Sequence, residues 1–143
     1  MMGFDGEGNV VCQSWQSTMT FEDECFDLET GAIVQDDFVG CPGADWDFKF
    51  AYNSGQVPHA VIFQNRSQVV QIAYSGEAFD DVTGADVAGL SFTSSLVDVA
   101  FSQVAVLRTG PGNYFKVGPV SEGACTTNEN CNVTFRWLQL VLP

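Results

Sequence analysis

Helical periodicity is almost absent from this chain, and that absence constrains its fold more than any other feature. Apolar residues do not recur every three or four positions. Instead, short runs of β-branched and aromatic residues recur, each broken by a cluster of Gly, Asn, Asp or Pro. Runs of this kind form strands, whose side chains alternate between two faces, and the intervening clusters are the residues that turn a chain. The reading is an all-β fold, mostly antiparallel sheet or sandwich, with long loops and disulfide staples. The 143 residues are enough for one β-rich domain over 1–143, with 1–22 as an extended N-terminal arm or strand.

The clearest strand is Trp46 to Tyr52, where Trp46, Phe48, Phe50 and Tyr52 share one face and Asp47 and Lys49 the other. As an aromatic stripe this is core rather than a ligand platform. Asn53-Ser54-Gly55 turns the chain into Val57–Gln64, and Asn65-Arg66-Ser67 turns it into Gln68–Tyr74, so the three segments are expected to form a meander. Ser75 to Ser95 reads as a long packed loop with a short helical turn. Val104–Thr109, Gly110-Pro111-Gly112-Asn113 and Tyr114–Val117 make the strongest hairpin signal. In the last strand, Asn132–Leu142, Val133, Phe135 and Trp137 point inward and Thr134 and Arg136 outward. Beyond Trp137 both faces are apolar, and such a strand needs cover on both sides.

Charge narrows the partners. Eighteen acidic residues against five basic ones give a net charge of −13. The five cations, Lys49, Arg66, Arg108, Lys116 and Arg136, are dispersed along the sequence. Nucleic acid is excluded, because its recognition needs clustered Lys and Arg. No apolar run is long enough for a membrane helix, so no membrane span is expected.

Five cysteines in a chain of this length point to an oxidising compartment, hence a secreted, extracellular or cell-surface location. Cys125 and Cys131 bracket a polar turn and are expected to close it as a disulfide, stabilising by about 2 kcal/mol in the chain-entropy account. Cys12, Cys25 and Cys41 lack metal-ligand spacing, and their pairing stays open, with one cysteine left over.

Catalytic arrangements are missing. There is one histidine, His59, and neither a Ser-His-Asp set nor a nucleophile elbow. The acid pairs Asp36-Asp37 and Asp80-Asp81 lie beside turns, where carboxylates serve solvation and the local backbone, so no enzyme is expected. Asp5, Glu7 and Asn9, separated by Gly6 and Gly8, have the oxygen spacing of a calcium site, with the Asp80-Asp81 to Asp86 loop a similar candidate. Otherwise no cofactor is expected. Asn65-Arg66-Ser67 and Asn132-Val133-Thr134 are N-glycosylation sequons, and Asn65, in a predicted turn, is the better placed.

Four segments together resemble the HmuY-like family of secreted bacterial β-proteins: Phe26-Asp27-Leu28-Glu29-Thr30-Gly31, Asp45-Trp46-Asp47-Phe48-Lys49-Phe50, Arg108-Thr109-Gly110-Pro111-Gly112-Asn113-Tyr114-Phe115-Lys116-Val117, and Val133-Thr134-Phe135-Arg136-Trp137. The resemblance implies an exported, mostly antiparallel β domain. Its best-known members are lipoproteins that hold haem between two axial histidines. Here only His59 is present, so the pair does not carry over, and His59 is a ligand only if haem binds at all.

The functional expectation is a non-enzymatic extracellular structural or surface protein that forms a homo-oligomer or fibre. Self-association is assigned to the terminal strands, through Trp137, Leu138, Leu140 and Leu142, or through the segment Val10–Phe21. The alternative is an HmuY-like extracellular ligand-binding protein.

Overall fold

The computed structural model describes residues 2–4, 10–12, 15–20, 24–35, 41, 46–53, 55, 58–65, 70–94, 100–123 and 132–143. Eleven strands form among them, and every pairing is antiparallel. The short strands β1 (Met2–Phe4) and β2 (Val10–Cys12) pair with each other. The sheet of five runs β3 (Trp15–Thr20), β11 (Asn132–Leu140), β10 (Tyr114–Glu122), β9 (Val104–Arg108), β8 (Gln71–Ser75). The sheet of four runs β5 (Ala32–Gln35), β4 (Glu24–Asp27), β6 (Phe48–Tyr52), β7 (Ala60–Gln64).

The main core unites side chains of both sheets, as alternation requires of a sandwich. Phe26, Phe48, Phe50 and Ile62 from the smaller sheet meet Leu107, Phe115, Val117, Phe135 and Trp137 from the larger. Phe26 lies at its centre, with ring centroids 5.5 Å from Phe48, 5.1 Å from Phe135 and 5.3 Å from Trp137. The edge-on approaches of Phe135 and Trp137 set ring edges against a π-face, which adds to the gain from burial.

The expected inward set of the last strand is present: Val133, Phe135 and Trp137 are buried between the sheets. Its other face is covered by the chain itself. Two 3₁₀ segments, Phe79–Asp81 and Gly84–Gly89, bring Phe79, Val82 and Val87 against Val104, Val106 and Leu140, with Leu138, Leu90, Phe92 and Tyr114 packed beside them. Lys116 fastens this cover. Its ammonium is buried, donates to the carbonyls of Phe79 and Val82, and lies over the Phe79 ring. Arg136 also stacks on that ring and pairs with Asp80 at 2.8 Å. Gly118 permits the contact, since a Cβ there would come within 2.6 Å of the Phe79 ring.

Three strand expectations are corrected. The Trp46 strand begins at Phe48, because Asp47 is not a solvent-facing partner of Lys49. Asp47 is buried, and its carboxylate accepts the Leu28 N–H at 2.7 Å. The meander breaks after β7: β8 pairs with β9 in the other sheet. Asn65 makes the crossing, donating its backbone N–H to Asp47 and its side-chain amide to the Trp46 carbonyl, while Val70 donates back to Asn65. The hairpin is longer than expected. β10 continues to Glu122 through a bulge between Pro119 and Ser121, which keeps a strand going past a Gly-Pro pair that would otherwise end it.

Candidate functional site

The two long sides of the sandwich differ in how their edges end. On one side lie β8 and β7. Thr93 exchanges backbone hydrogen bonds with Ile72 at 2.9 and 3.0 Å. Ala100 bridges to Val61, and Phe101 donates to the Ala60 carbonyl at 2.7 Å. Residues of one connection thus occupy both edges. On the opposite side the outer strands are β3 and β5, and neither has a further strand beside it among the described residues.

Inward-facing residues are left exposed on that open side. Trp15 lies opposite Trp137 in register and so shares its inward direction. It stacks on Trp137 at 5.9 Å with the planes 15° apart, yet is 44% exposed. Ile33, opposite Phe26, is 41% exposed. The β4–β5 turn closes over Trp137 at Gly31, which has φ of 73° and would place a Cβ 2.9 Å from the indole. Both the backbone angle and the close approach demand glycine. The Trp137 indole N–H is buried with no acceptor among the described residues. The outer face of β3 is polar: Thr18 and Thr134 join their hydroxyls at 2.8 Å.

A buried acid lies between β4 and the end of β7. Asp47 lies under the β4–β5 turn, and its carboxyl is raised from the usual 3.8 to about 7 by burial. The Leu28 N–H opposes this shift, while Glu29 and Asp27 add to it. Glu29 in turn accepts the Asn113 amide at 2.8 Å, tying this turn to the β9–β10 turn.

The terminal residues expected to self-associate are divided. Trp137 and Leu140 are buried in their own domain and Leu138 packs into the second core, whereas Leu142 is 46% exposed. β11 is also flanked by β10 and by β3 over Asn132–Trp137, so it is an interior strand. The available edge belongs to β3, within the expected segment Val10–Phe21.

Other candidates separate. Cys25 and Cys41 form a disulfide with Cα atoms 6.3 Å apart, closing a loop that stabilises by about 3 kcal/mol in the chain-entropy account. Cys12 is in β2, while Cys125 and Cys131 lie outside the described residues, as do Asp5, Glu7 and Asn9. Asp80 serves Arg136, and Asp86 closes a capping box with Thr83, so two of the three acids of that loop are engaged in its own structure. Among the described residues no group of three or more His, Cys, Asp or Glu could hold a metal. His59 is half-buried, with Nδ1 3.3 Å from the Asn53 carbonyl, and Met19 is fully buried in the core.

The two sequons differ in exposure. Asn65 is 2% exposed, and the Nδ2 that would carry a glycan donates to Trp46 at 2.7 Å. Asn132 is exposed at the start of β11. Among the described residues no helix is long and apolar enough to cross a membrane.

Comparison with known proteins brings no relative: no family model, no curated protein and no solved structure matches the chain. The likeness to HmuY-like proteins therefore rests on the four sequence segments alone.

Proposed function

We propose that this is an exported, non-enzymatic structural or surface protein whose copies associate through the open side of the sandwich, strand edge to strand edge. One observation carries the reading: β3 and β5 end the two sheets without cover among the described residues, while β7 and β8 are bridged by one connection. An edge strand presents unpaired N–H and C=O groups that another strand can complete. Here Trp15 and Ile33 add apolar area that a partner would bury. Edge pairing about a twofold closes a dimer, and pairing of β3 on one copy with β5 on the next builds an open fibre.

The Cys25–Cys41 disulfide and the HmuY-like segments support export, and Asn132 is the sequon that could carry a glycan on the folded domain. The net charge of −13 opposes association, so salt should strengthen it by screening. The test is size-exclusion chromatography with light scattering, joined to electron microscopy of the native material. Species heavier than 15.5 kDa that grow with concentration and salt are expected. A 15.5 kDa monomer under all conditions would overturn the reading.

A further inference from the structure

The β10 bulge leaves one carboxylate that no Lys or Arg answers among the described residues. Glu122 accepts the Ala60 N–H at 2.8 Å and the His59 N–H at 3.2 Å, one on each oxygen. Its position is therefore set by the start of β7. No Lys or Arg pairs with it among the described residues, whose ion pair is Arg136 with Asp80. Beside this carboxylate a depression of about 190 Å³ is lined by Pro58, Ala60, Phe101, Pro119 and Val133. Val120, the extra residue of the bulge and 46% exposed, and Ser102 also line it. A second depression of about 270 Å³ shares Ser102 and Pro119 and holds Glu77. Among the described residues neither is lined by Lys or Arg.

We propose that the depression at Glu122 binds a small organic ammonium ion, with the apolar body against the Pro58, Pro119 and Val120 lining and the charged end at the carboxylate. Each Glu122 oxygen retains a lone pair after accepting one backbone N–H, and a charge-assisted hydrogen bond to an ammonium group uses it. Pro58 and Pro119, two rigid side chains, supply much of the lining, so little side-chain ordering accompanies binding. Pockets for drug-sized ligands measure roughly 300–1,000 Å³, and a smaller volume restricts the ligand to a few carbons beyond its amine. Anions are repelled by Glu122, by Glu77 and by the acidic protein as a whole.

Amide NMR titration of the full chain tests this with hexylammonium, propylammonium, hexanol and hexanoate. Hexylammonium should give saturable shifts at Ala60, Ser121, Glu122 and Val133. Propylammonium should bind more than tenfold more weakly, since each buried methylene contributes about fourfold. Hexanol should bind at least tenfold more weakly and hexanoate not at all. Glu122→Gln should reduce hexylammonium affinity tenfold or more. Should that variant lose the dispersed spectrum, Ser102→Phe fills the depression, leaves the carboxylate in place and should abolish the shifts. Hexanol or hexanoate matching hexylammonium, non-saturating shifts spread over the acidic surface, or an unaffected Ser102→Phe would each overturn the proposal.

Discussion

The two sides of the sandwich solve the same problem with opposite results. At β7 and β8, one connection lays Thr93 on one edge and Ala100–Phe101 on the other, and Phe101 also fills the core, 5.2 Å from Phe50. Covering an edge and packing a core are there a single act. At β3 and β5 the sheets end with inward positions held by a half-exposed Trp and Ile, over a turn that buries a carboxyl group. One side is closed by packing; the other keeps apolar surface in reserve. A domain built this way can be stable alone and still offer one side to a neighbour.

The strongest way to break this comparison is to open the closed side. Phe101→Ala removes a ring that is 2% exposed, and about 3–5 kcal/mol of stability should be lost with it. Denaturant unfolding measures this. A loss below about 1 kcal/mol, the ordinary effect of a surface change, would show that the connection merely lies against the edges.

The pH response should come from Asp47, beneath the β4–β5 turn. Between the usual carboxyl value of 3.8 and about 7, folded Asp47 keeps a proton that the unfolded chain has released. Stability through this group therefore falls as pH rises across that window and levels off above it. Asp47→Asn retains an oxygen for the Leu28 N–H and removes the titration. The variant should match the wild type near pH 4 and exceed it above pH 7, by up to about 4 kcal/mol. Parallel pH profiles for the two proteins would remove Asp47 as the source.

Charge on the open edge should separate association from folding. The pair Trp15→Lys and Ile33→Lys places inward-pointing cations at the two edges, a device natural sheets use against edge pairing. Losing the Trp15–Trp137 stack should cost about 0.5–1.5 kcal/mol, while sedimentation should show a monomer at concentrations where the wild type associates. Association unchanged by the pair would move the contact elsewhere.

Much of this was legible in the sequence where local chemistry decides the outcome. The β9–β10 hairpin follows from Gly110-Pro111-Gly112-Asn113: Gly112 takes φ of 93° and Thr109 meets the Asn113 carbonyl at 2.9 Å. The alternation of β11 likewise predicts which of its side chains face the main core. What stayed hidden depends on distant pairings. Alternation in Gln71–Ser75 shows that a strand forms but not which sheet takes it, so its move to β9 could not be read. Asp47 looks like any polar position opposite aromatic neighbours, because its partner Leu28 is 19 residues away. Glu122 sits after a Gly-Pro pair that reads as a strand end, and its donors lie 62 and 63 residues back. The two-sided apolarity after Trp137 was visible, but its cover comes from the loop around Phe79, whose irregular pattern does not announce a face.

The open side, and not the covered one, is the side proposed to join one copy to the next. Hydrogen exchange measured from dilute to concentrated wild-type protein tests it residue by residue. Backbone amides of Trp15–Thr20 and Ala32–Gln35 should gain protection as concentration rises, while those of Ala60–Gln64 and Gln71–Ser75 stay protected throughout. Protection independent of concentration in β3 and β5, or a gain confined to β7 and β8, would contradict the account.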